Sequence, residues 1–410
     1  SLESTIALRS DFAPAHFVLS SAYYYQGAYQ KSATERETAI KLAPNEPFYH
    51  EALAYAYDKL GRLDDAVAEY RQAIALKEGS YTRAYLGLVL TRQKKYDAAM
   101  VEFQQALKLN PQNDLAFASM GDAYVQQGKL DDAVVAYQNA LARNESGWLH
   151  IQLANVYVMQ GKSDAAVAEL EKATTKEPQN VQVRLFAANL FKTMNRIDDA
   201  LKENRAVVSL QANNAQAYYS IVDLEYKRCN LTAATQAANS LVALLPSSNA
   251  RGVLASMYLA QGRTDDAAKI YNDLRNSPDS DVDAHMAAGG YFSSIGNLAD
   301  ARREYQIVLE APSSNTSTVL ISLAYFYLGQ IELHQDRLVT AETAYKNALT
   351  QWQANAFAQE GLAEIALRRG DAATAIQLDD QTIAMLPAFS QVNSDWADSL
   401  KVILPAHRGL

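Results

Sequence analysis

The chain has one cysteine, few prolines and no long apolar run, and each shortage excludes a class of protein. Cys229 is alone, so no disulfide can form within the chain. No apolar run is long enough for a transmembrane helix. The alternation of apolar and polar residues that marks a strand is also missing, and several of the ten prolines fall where helices are expected to end. The sequence therefore predicts an all-α chain.

Basic residues are also fewer than acidic residues. The 410 residues include 37 Lys and Arg against 46 Asp and Glu, a formal net charge of −9, which argues against a nucleic-acid scaffold. Residues 1–205 hold 23 basic and 25 acidic residues, whereas residues 206–410 hold 14 and 21. The acidic excess of the second half includes Asp279, Asp281 and Asp283, which we interpret as a solvated helix start. A basic partner for this half is compatible with that excess.

Signals for catalysis and for metal binding are weak. The six histidines are scattered through different segments without the spacing of metal ligands, and we interpret them as surface or packing residues. No phosphate-binding glycine loop and no nucleophile elbow occurs. Cys229 occupies a turn position where a small residue suffices, which argues against a reactive thiol. The sequence predicts no catalytic residue, no metal site and no cofactor.

One pattern does run through most of the chain. Alanines recur in register every 33 or 34 residues, with Ser32 in the same position one period earlier and one longer interval of 40 residues. The alanines are Ala66, Ala99, Ala133, Ala166, Ala200, Ala234, Ala267, Ala301, Ala341 and Ala375. The turn positions five residues before them are Gly27, Gly61, Lys94, Gly128, Gly161, Asn195, Cys229, Gly262, Gly296, Asp336 and Gly370. A period in this range is the signature of a stacked array of repeats.

The two positions have simple physical roles. Where two helices cross closely, one contact residue must be small, and alanine meets this need without losing helix propensity. A turn glycine adopts positive φ at little cost and ends the first helix of each pair. Asp pairs such as Asp64-Asp65 follow it at the start of the second helix, where they can cap free amides and oppose the dipole. The pattern predicts helix–turn–helix units.

These units resemble the tetratricopeptide repeat (TPR) family. The residues that carry the resemblance best are Ala106-Leu107, Pro111, Phe117, Met120-Gly121, Tyr124, Gly128, Ala133, Tyr137 and Ala140-Leu141. The resemblance implies an all-α fold, a right-handed α-solenoid (superhelix) of stacked antiparallel helix pairs. Four positions depart from the second aromatic of the unit, and we expect looser packing at them: Arg36, Asn204, Ala238 and Asp379.

The repeats predict the domain organisation. Residues 1–12 read as the tail of a truncated repeat, 13–387 as about eleven TPR units, and 388–410 as a C-terminal capping helix and tail. Because the chain starts inside a repeat, we expect it to be a fragment of a longer protein. A six-residue insertion near 311–317 is interpreted as a longer loop or an extra helical turn, and a hinge or partner contact is the alternative.

The resemblance also implies where a partner binds. In the family the first helices of the pairs line a concave groove, and certain positions on each first helix face it. The residues at those positions are Phe17, Ser21, Tyr24, Phe48, Glu51, Tyr55, Asp58, Tyr81, Asp122, Trp148, Asn155, Asn189 and Lys192. Aromatic side chains are good anchors for peptides, and Asn can pair with an extended backbone through both its donor and its acceptor. For Trp148, covering the preceding turn is the alternative role.

Together these features predict a non-catalytic scaffold that holds a peptide segment or protein partner in the concave groove. The alternative is an accessory TPR region of a larger enzyme or export machine, of the polysaccharide-secretion or sugar-transferase type, that recruits substrates. Self-association through an uncapped N-terminal repeat is a third interpretation. The single cysteine and modest lysine content are compatible with the bacterial cytoplasm and with the periplasm.

Overall fold

Helices joined by short turns make up the structure. The computed structural model describes residues 11–276, 281–310 and 317–390, and no strand occurs in these ranges. Three predicted features fall mainly on other residues: the N-terminal repeat tail (1–10), most of the insertion (311–316) and the capping helix (391–410) lie outside the described residues. The all-α class is confirmed.

The chain divides into two units, residues 1–212 and 213–410. Unit 1 has six helix pairs within its described residues: α1 (Ala13–Tyr25) and α2 (Tyr29–Leu42), α3 (Pro47–Lys59) and α4 (Leu63–Leu76), α5 (Ser80–Arg92) and α6 (Tyr96–Leu109), α7 (Asp114–Gln126) and α8 (Leu130–Leu141), α9 (Gly147–Met159) and α10 (Ser163–Lys176), α11 (Val181–Thr193) and α12 (Ile197–Leu210). Odd-numbered helices are the first helices of their pairs, and even-numbered helices are the second.

Unit 2 has five helix pairs within its described residues: α13 (Ala215–Lys227) and α14 (Leu231–Leu244), α15 (Ser248–Ala260) and α16 (Thr264–Asn276), α17 (Val282–Ser294) and α18 (Leu298–Glu310), α19 (Thr318–His334) and α20 (Leu338–Gln351), α21 (Ala356–Arg368) and α22 (Ala372–Ser390). The two helices of each pair pack against each other in both units. Successive pairs are also in contact, as α2 is with α3 in unit 1 and α18 with α19 in unit 2.

Every predicted turn position adopts the left-handed conformation. The glycines have φ between +71° and +77°, and the four other residues there, Lys94, Asn195, Cys229 and Asp336, have φ between +57° and +60°. At the end of α3 the Gly61 N–H donates to the Asp58 carbonyl (3.0 Å). The Arg62 N–H donates to the Tyr57 carbonyl (2.9 Å), which completes a Schellman motif. The predicted helix ends are confirmed at all eleven positions.

The alanine register lies in the interior of the helix pairs. All ten alanines have at most 1% of their surface exposed. Ser32, one period earlier, is fully buried and satisfies its hydroxyl by donating to the Ser20 carbonyl (2.8 Å). The burial agrees with the demand for a small residue where two helices approach closely.

The second aromatic of the unit packs where the first helix has glycine. A Cβ added to Gly121 on α7 would lie 2.7 Å from the ring of Tyr137 on α8, closer than real contacts allow. A ring approaches a glycine equally closely at Gly87 with Phe103, Gly289 with Tyr305 and Gly329 with Tyr345. These rings are at most 2% exposed. Close approach of the ring, and not a turn, therefore explains these four glycines, while alanine holds the same repeat position at Ala54 and Ala255.

The positions without the second aromatic are buried as well, and they include Leu170, a fifth such position, which is fully buried. Arg36, Asn204, Ala238 and Asp379 are between 0% and 5% exposed. The Arg36 Nε donates to the Ser20 hydroxyl (3.2 Å), and the Asn204 amide donates to the Ala200 carbonyl (2.9 Å). At Arg36 and Asn204, hydrogen bonds replace the ring packing of the other units. Because all of these residues are buried, the looser packing that we expected is not observed.

Helix α19 absorbs part of the predicted insertion. It has 17 residues, whereas the other first helices have 13, as α21 does. Its first four residues, 318–321, precede the position where the other first helices begin. An extra helical turn therefore accounts for four of the six inserted residues.

Candidate functional site

The predicted groove residues of unit 1 belong to its first helices. Among these, α5 contacts α7 and α9 contacts α11 directly. We call the surface that the first helices α1, α3, α5, α7, α9 and α11 present the unit 1 first-helix face. The side chains predicted for partner binding are distributed over all six of these helices.

Aromatic rings from α1, α3 and α5 form two groups on this face, which we call together the aromatic cluster. Phe17 and Phe48 have ring centroids 4.9 Å apart, and Tyr24 and Tyr55 have centroids 5.6 Å apart. Tyr85 extends the cluster, because its ring meets Tyr55 edge-on at 5.8 Å. Phe48 is 57% exposed and Tyr55 37% exposed. The structure thus brings together four of the predicted aromatic residues and adds Tyr85.

Tyr24 is the most strongly perturbed of these side chains. Burial, reinforced by the nearby Tyr55 and Tyr29, raises the pKa of Tyr24 to about 12. The Arg36 guanidinium lies 5.1 Å from the centre of its ring and forms a cation–π contact. The hydroxyl of Tyr24 is therefore neutral at physiological pH, and the ring is held from two sides.

The predicted acids between the aromatic residues already have partners. Glu51 accepts a hydrogen bond from the Thr82 hydroxyl on α5. Asp58 is 8% exposed and forms an ion pair with Arg92, also on α5. Tyr81 is 48% exposed and donates weakly to a carboxylate on α7 (3.4 Å). These contacts link neighbouring first helices and fix the side chains in place.

A polar cleft of about 480 Å³ opens between the middle first helices. Its lining includes three predicted residues, Asp58, Asp122 and Asn155, and also Arg92. Burial raises the pKa of Asp122, although a hydrogen bond from the Tyr137 hydroxyl (2.5 Å) opposes this shift. The cleft offers amide, carboxylate and guanidinium groups to a ligand.

The remaining predicted residues lie further along the face. Trp148 is 44% exposed and meets Phe186 edge-on, with centroids 5.0 Å apart. Asn189 and Lys192 are exposed on α11. Ser21 donates its hydroxyl to the backbone carbonyl four residues earlier (3.1 Å), so α1 itself occupies that donor.

Sequence patterns could have located a second cleft. The repeat positions used for the groove of unit 1 continue on α15, α17 and α19 of unit 2, but the prediction stopped at Lys192. In unit 2 these helices line a cleft of about 870 Å³. The residues at the groove positions include Asn249, Gly252, Asp283, Gly290, Ser293 and Leu323. Several of these residues have small side chains, so a search of the sequence for aromatic anchors does not identify the cleft.

The sequence also contains a repeated pattern of acid–base pairs. Four histidines occupy one repeat position on first helices, and each has its Nδ1 within 2.6–2.7 Å of a glutamate 19 residues later: His16–Glu35, His50–Glu69, His150–Glu169 and His285–Glu304. Arg83–Glu102 and Arg184–Glu203 have the same positions in their units. The view that the histidines are scattered was therefore wrong, because four of them belong to the repeat.

These His–Glu and Arg–Glu pairs are not arranged as metal sites. Within residues 11–276, 281–310 and 317–390, no group of three or more His, Cys, Asp or Glu side chains could hold a metal ion. None of the helices in the same ranges combines the length and the apolar character needed to cross a bilayer.

Comparison with protein families accounts for most of the chain. Models described as Tetratricopeptide repeat match residues 17–81, 124–174, 157–224, 221–281, 253–316, 286–356 and 340–388. A model described as TPR repeat matches residues 87–128. The matches therefore extend over nearly the whole array of helix pairs.

Individual relatives are distant and longer than this chain. Human tetratricopeptide repeat protein 13 is 29% identical over 107 residues, which cover 26% of this chain and 12% of that protein. Anaphase-promoting complex subunit 3 of Schizosaccharomyces pombe is 24% identical over 187 residues, 45% of this chain and 28% of that protein. The crystal structure of yeast Tom70 aligns over 96% of both chains at 15% identity, with a TM-score of 0.49.

Proposed function

Because this chain belongs to the tetratricopeptide repeat family, we propose that it is a non-catalytic scaffold that holds a peptide segment or protein partner on its first-helix face. The observation that carries the proposal is the aromatic cluster, two groups of partly exposed rings that pack together across α1, α3 and α5. Exposed aromatic residues that are already packed together are typical of binding hot spots.

The cluster is suited to binding because its rings are fixed before a partner arrives. Tyr24 is held between Tyr55 and Arg36, and Phe17 lies between Phe48 and Tyr49 at 4.9 and 5.2 Å. Side chains that are ordered in advance lose little conformational entropy on binding. Their exposed faces then contribute apolar contact area at small cost.

The polar cleft supplies groups that could pair with a peptide backbone. Asn155 lies in its lining, and its side chain has no hydrogen-bond partner among the described residues. A free carboxamide can donate to a peptide carbonyl and accept from a peptide N–H at once. Anchoring rings at one end and an amide in the cleft together favour an extended peptide segment.

Recruitment of substrates to a larger protein is the second candidate. The chain spans about an eighth to about a quarter of the two curated relatives that it matches. An accessory region of an enzyme or export machine would use the same face, but its cargo would be the substrate of a neighbouring domain. The open reading frame of the full-length protein separates the two candidates, because only the second requires an attached catalytic or export domain.

A partner captured from the native host by the intact chain tests the scaffold proposal. Changing Tyr24, Tyr55 and Trp148 together to Ala should weaken the partner at least about tenfold, since anchor residues commonly contribute about 2 kcal/mol each. Circular dichroism should show that the variant keeps its helical content. Val135→Ala together with Val339→Ala, which alter exposed side chains on the second helices α8 and α20, serves as control and should bind normally. Unchanged affinity of the triple variant would refute the proposal.

Self-association through the first repeat is a separate proposal about partners. It predicts a molecular mass by light scattering that rises with protein concentration. A strictly monomeric species over the whole concentration range would rule it out.

A further inference from the structure

The cleft of unit 2 is wide because its walls are made of small residues. Gly252 and Ser256 on α15 face Ala287 and Gly290 on α17, and all four belong to the lining of the 870 Å³ cleft. A Cβ added to Gly290 would find no atom within 4 Å, whereas one added to Gly252 would lie 3.3 Å from the Ala287 Cβ. The space above Gly290 is therefore open and large enough for a side chain from a ligand.

The floor of this cleft is aromatic. Tyr271 stacks on Tyr291 with centroids 4.6 Å apart and planes at 16°, and Tyr305 stacks on Tyr327 at 5.2 Å and 11°. All four rings belong to the lining. Stacked rings beneath a gap between small residues form a surface that suits a bulky apolar or aromatic side chain.

One polar group of the floor is unsatisfied. Tyr305 is fully buried, and its hydroxyl has no hydrogen-bond partner among the described residues. Burial raises its pKa, and the nearby Ser293 hydroxyl offsets this only in part. Because the oxygen itself is buried beside Ser293, this hydroxyl belongs to the interior of the floor and is not a contact for a ligand.

The charge that the described residues give this cleft has a single sign. Among the described residues of its lining, Asp283 is the one that is charged, and none is Lys or Arg. Asp281 caps α17 by accepting from the Ala284 N–H (2.8 Å), so capping leaves Asp283 available at the rim. Burial, and then the proximity of Asp281, raise the pKa of Asp283. Asp279 lies outside the described residues. The rim therefore favours a cation, in agreement with the 14 basic and 21 acidic residues of positions 213–410.

We propose that this cleft binds an extended peptide segment in which a bulky apolar side chain stands next to a lysine or arginine. The apolar side chain enters the gap above Gly290 and covers the stacked tyrosines. The cation of the segment meets Asp283 at the rim. The inference rests on the proposed function, which is peptide binding by the first helices. It adds a separate site in unit 2 that prefers an apolar side chain next to a cation.

Three labelled peptides test the preference on the full chain. Each is a Gly-Ser peptide with a central pair, Phe-Arg, Ala-Arg or Phe-Glu, and carries fluorescein for anisotropy measurements. The Phe-Arg peptide should bind at least about tenfold more tightly than the other two, a difference of about 1.4 kcal/mol. Equal affinities of the three peptides would overturn the inference.

Variants of the cleft locate the binding. Gly290→Leu places a side chain in the open gap and should abolish Phe-Arg binding, while its higher helix propensity keeps α17 intact. Ala299→Leu, at an exposed position on α18, is the matched control and should bind normally. Asp283→Asn should weaken Phe-Arg about tenfold and leave a Phe-Gln peptide unchanged. Normal binding by Gly290→Leu would overturn the inference.

The two proposals fail in different ways. The Tyr24, Tyr55 and Trp148 triple variant should keep its affinity for the Phe-Arg peptide, and a loss there would overturn a site in unit 2. If the host partner binds the chain through these three residues but no Phe-Arg complex forms up to about 1 mM, this inference is wrong and the proposed function stands. If Phe-Arg binding is lost in Gly290→Leu as described, this inference is supported, and the triple variant with the host partner decides the proposed function.

Discussion

Two adjacent glycines in α17 should respond in opposite ways to the same substitution. A Cβ added to Gly289 would lie 2.7 Å from Cε1 and 2.9 Å from Cζ of Tyr305, whereas one added to Gly290 meets nothing within 4 Å. Both positions are inside the same helix, so alanine contributes the same gain in helix propensity at each. The difference in stability between Gly289→Ala and Gly290→Ala therefore isolates the packing of the methyl group against the ring.

The magnitudes follow from the contacts. Gly290→Ala should stabilise the protein by about 0.5–1 kcal/mol, which is the usual cost of glycine in a helix. At Gly289 the same gain is opposed by overpacking, which costs about 1–3 kcal/mol when a methyl is forced into a filled core. Tyr305 is fully buried and stacked on Tyr327, so its ring has little freedom to move aside. Ala255 and Tyr271 hold the same repeat positions in the preceding pair, which shows that a small shift can accommodate a methyl and favours the lower end of that range.

Urea denaturation followed by circular dichroism measures both variants. Each variant alters one helix of the same array, so the nearest-neighbour terms of the stack are shared and cancel in the comparison. Gly289→Ala should have a lower midpoint than Gly290→Ala by an amount equivalent to about 1–2 kcal/mol. In a double-mutant cycle, Tyr305→Leu should remove the penalty of Gly289→Ala. Equal midpoints for the two alanine variants would refute the close-approach explanation.

Three further predictions concern charge and backbone strain. Arg184→Met leaves the Glu203 carboxylate, which is 2% exposed, without its guanidinium, and should cost about 3–5 kcal/mol in urea denaturation. Arg62→Met disrupts an exposed ion pair and should cost at most about 1 kcal/mol, so equal losses would contradict the argument from burial. Cys229→Gly relieves a non-glycine residue at φ +58° and should raise the melting temperature by an amount equivalent to about 1 kcal/mol; a lower melting temperature would show that the turn is unstrained. Because burial raises the pKa of Asp122 in the native state, wild-type stability is reduced as the pH rises from the unfolded pKa through the native one. Asp122→Asn should therefore gain stability relative to wild type at pH 7 and little at pH 3, and equal gains at both pH values would contradict this sign.

The helix ends and the helix crossings could be predicted because each depends on one local demand. A left-handed residue must end each first helix, and the register located this residue even where Lys94, Asn195 or Cys229 replaces glycine. A small residue must stand at each crossing, and the alanines met this demand throughout. Neither prediction required knowing which residues of the two helices face each other.

The features that were missed depend on two helices at once. The glutamate partners of His16 and Arg184 are recognised only when positions 19 residues apart are known to face each other. The cleft of unit 2 is defined by the absence of side chains at Gly252 and Gly290, and an absence carries no chemical signature in a sequence. Tyr85 was not predicted because it does not hold one of the repeat positions expected to face the groove, whereas its ring extends the aromatic cluster of the face.

Each buried acid of the His/Arg–Glu series meets its base inside one hairpin. Both members of the His150–Glu169 pair are encoded within a single period of the array, and the same holds for Arg184–Glu203. Recombination that removes or duplicates one whole period therefore moves the acid and the base of a pair together, and neither is left without its partner. Changes of array length by full periods therefore keep every pair of this series intact, whereas a break within a period would separate an acid from its base. Pairs that join two helix pairs, such as Asp58–Arg92, do not have this property.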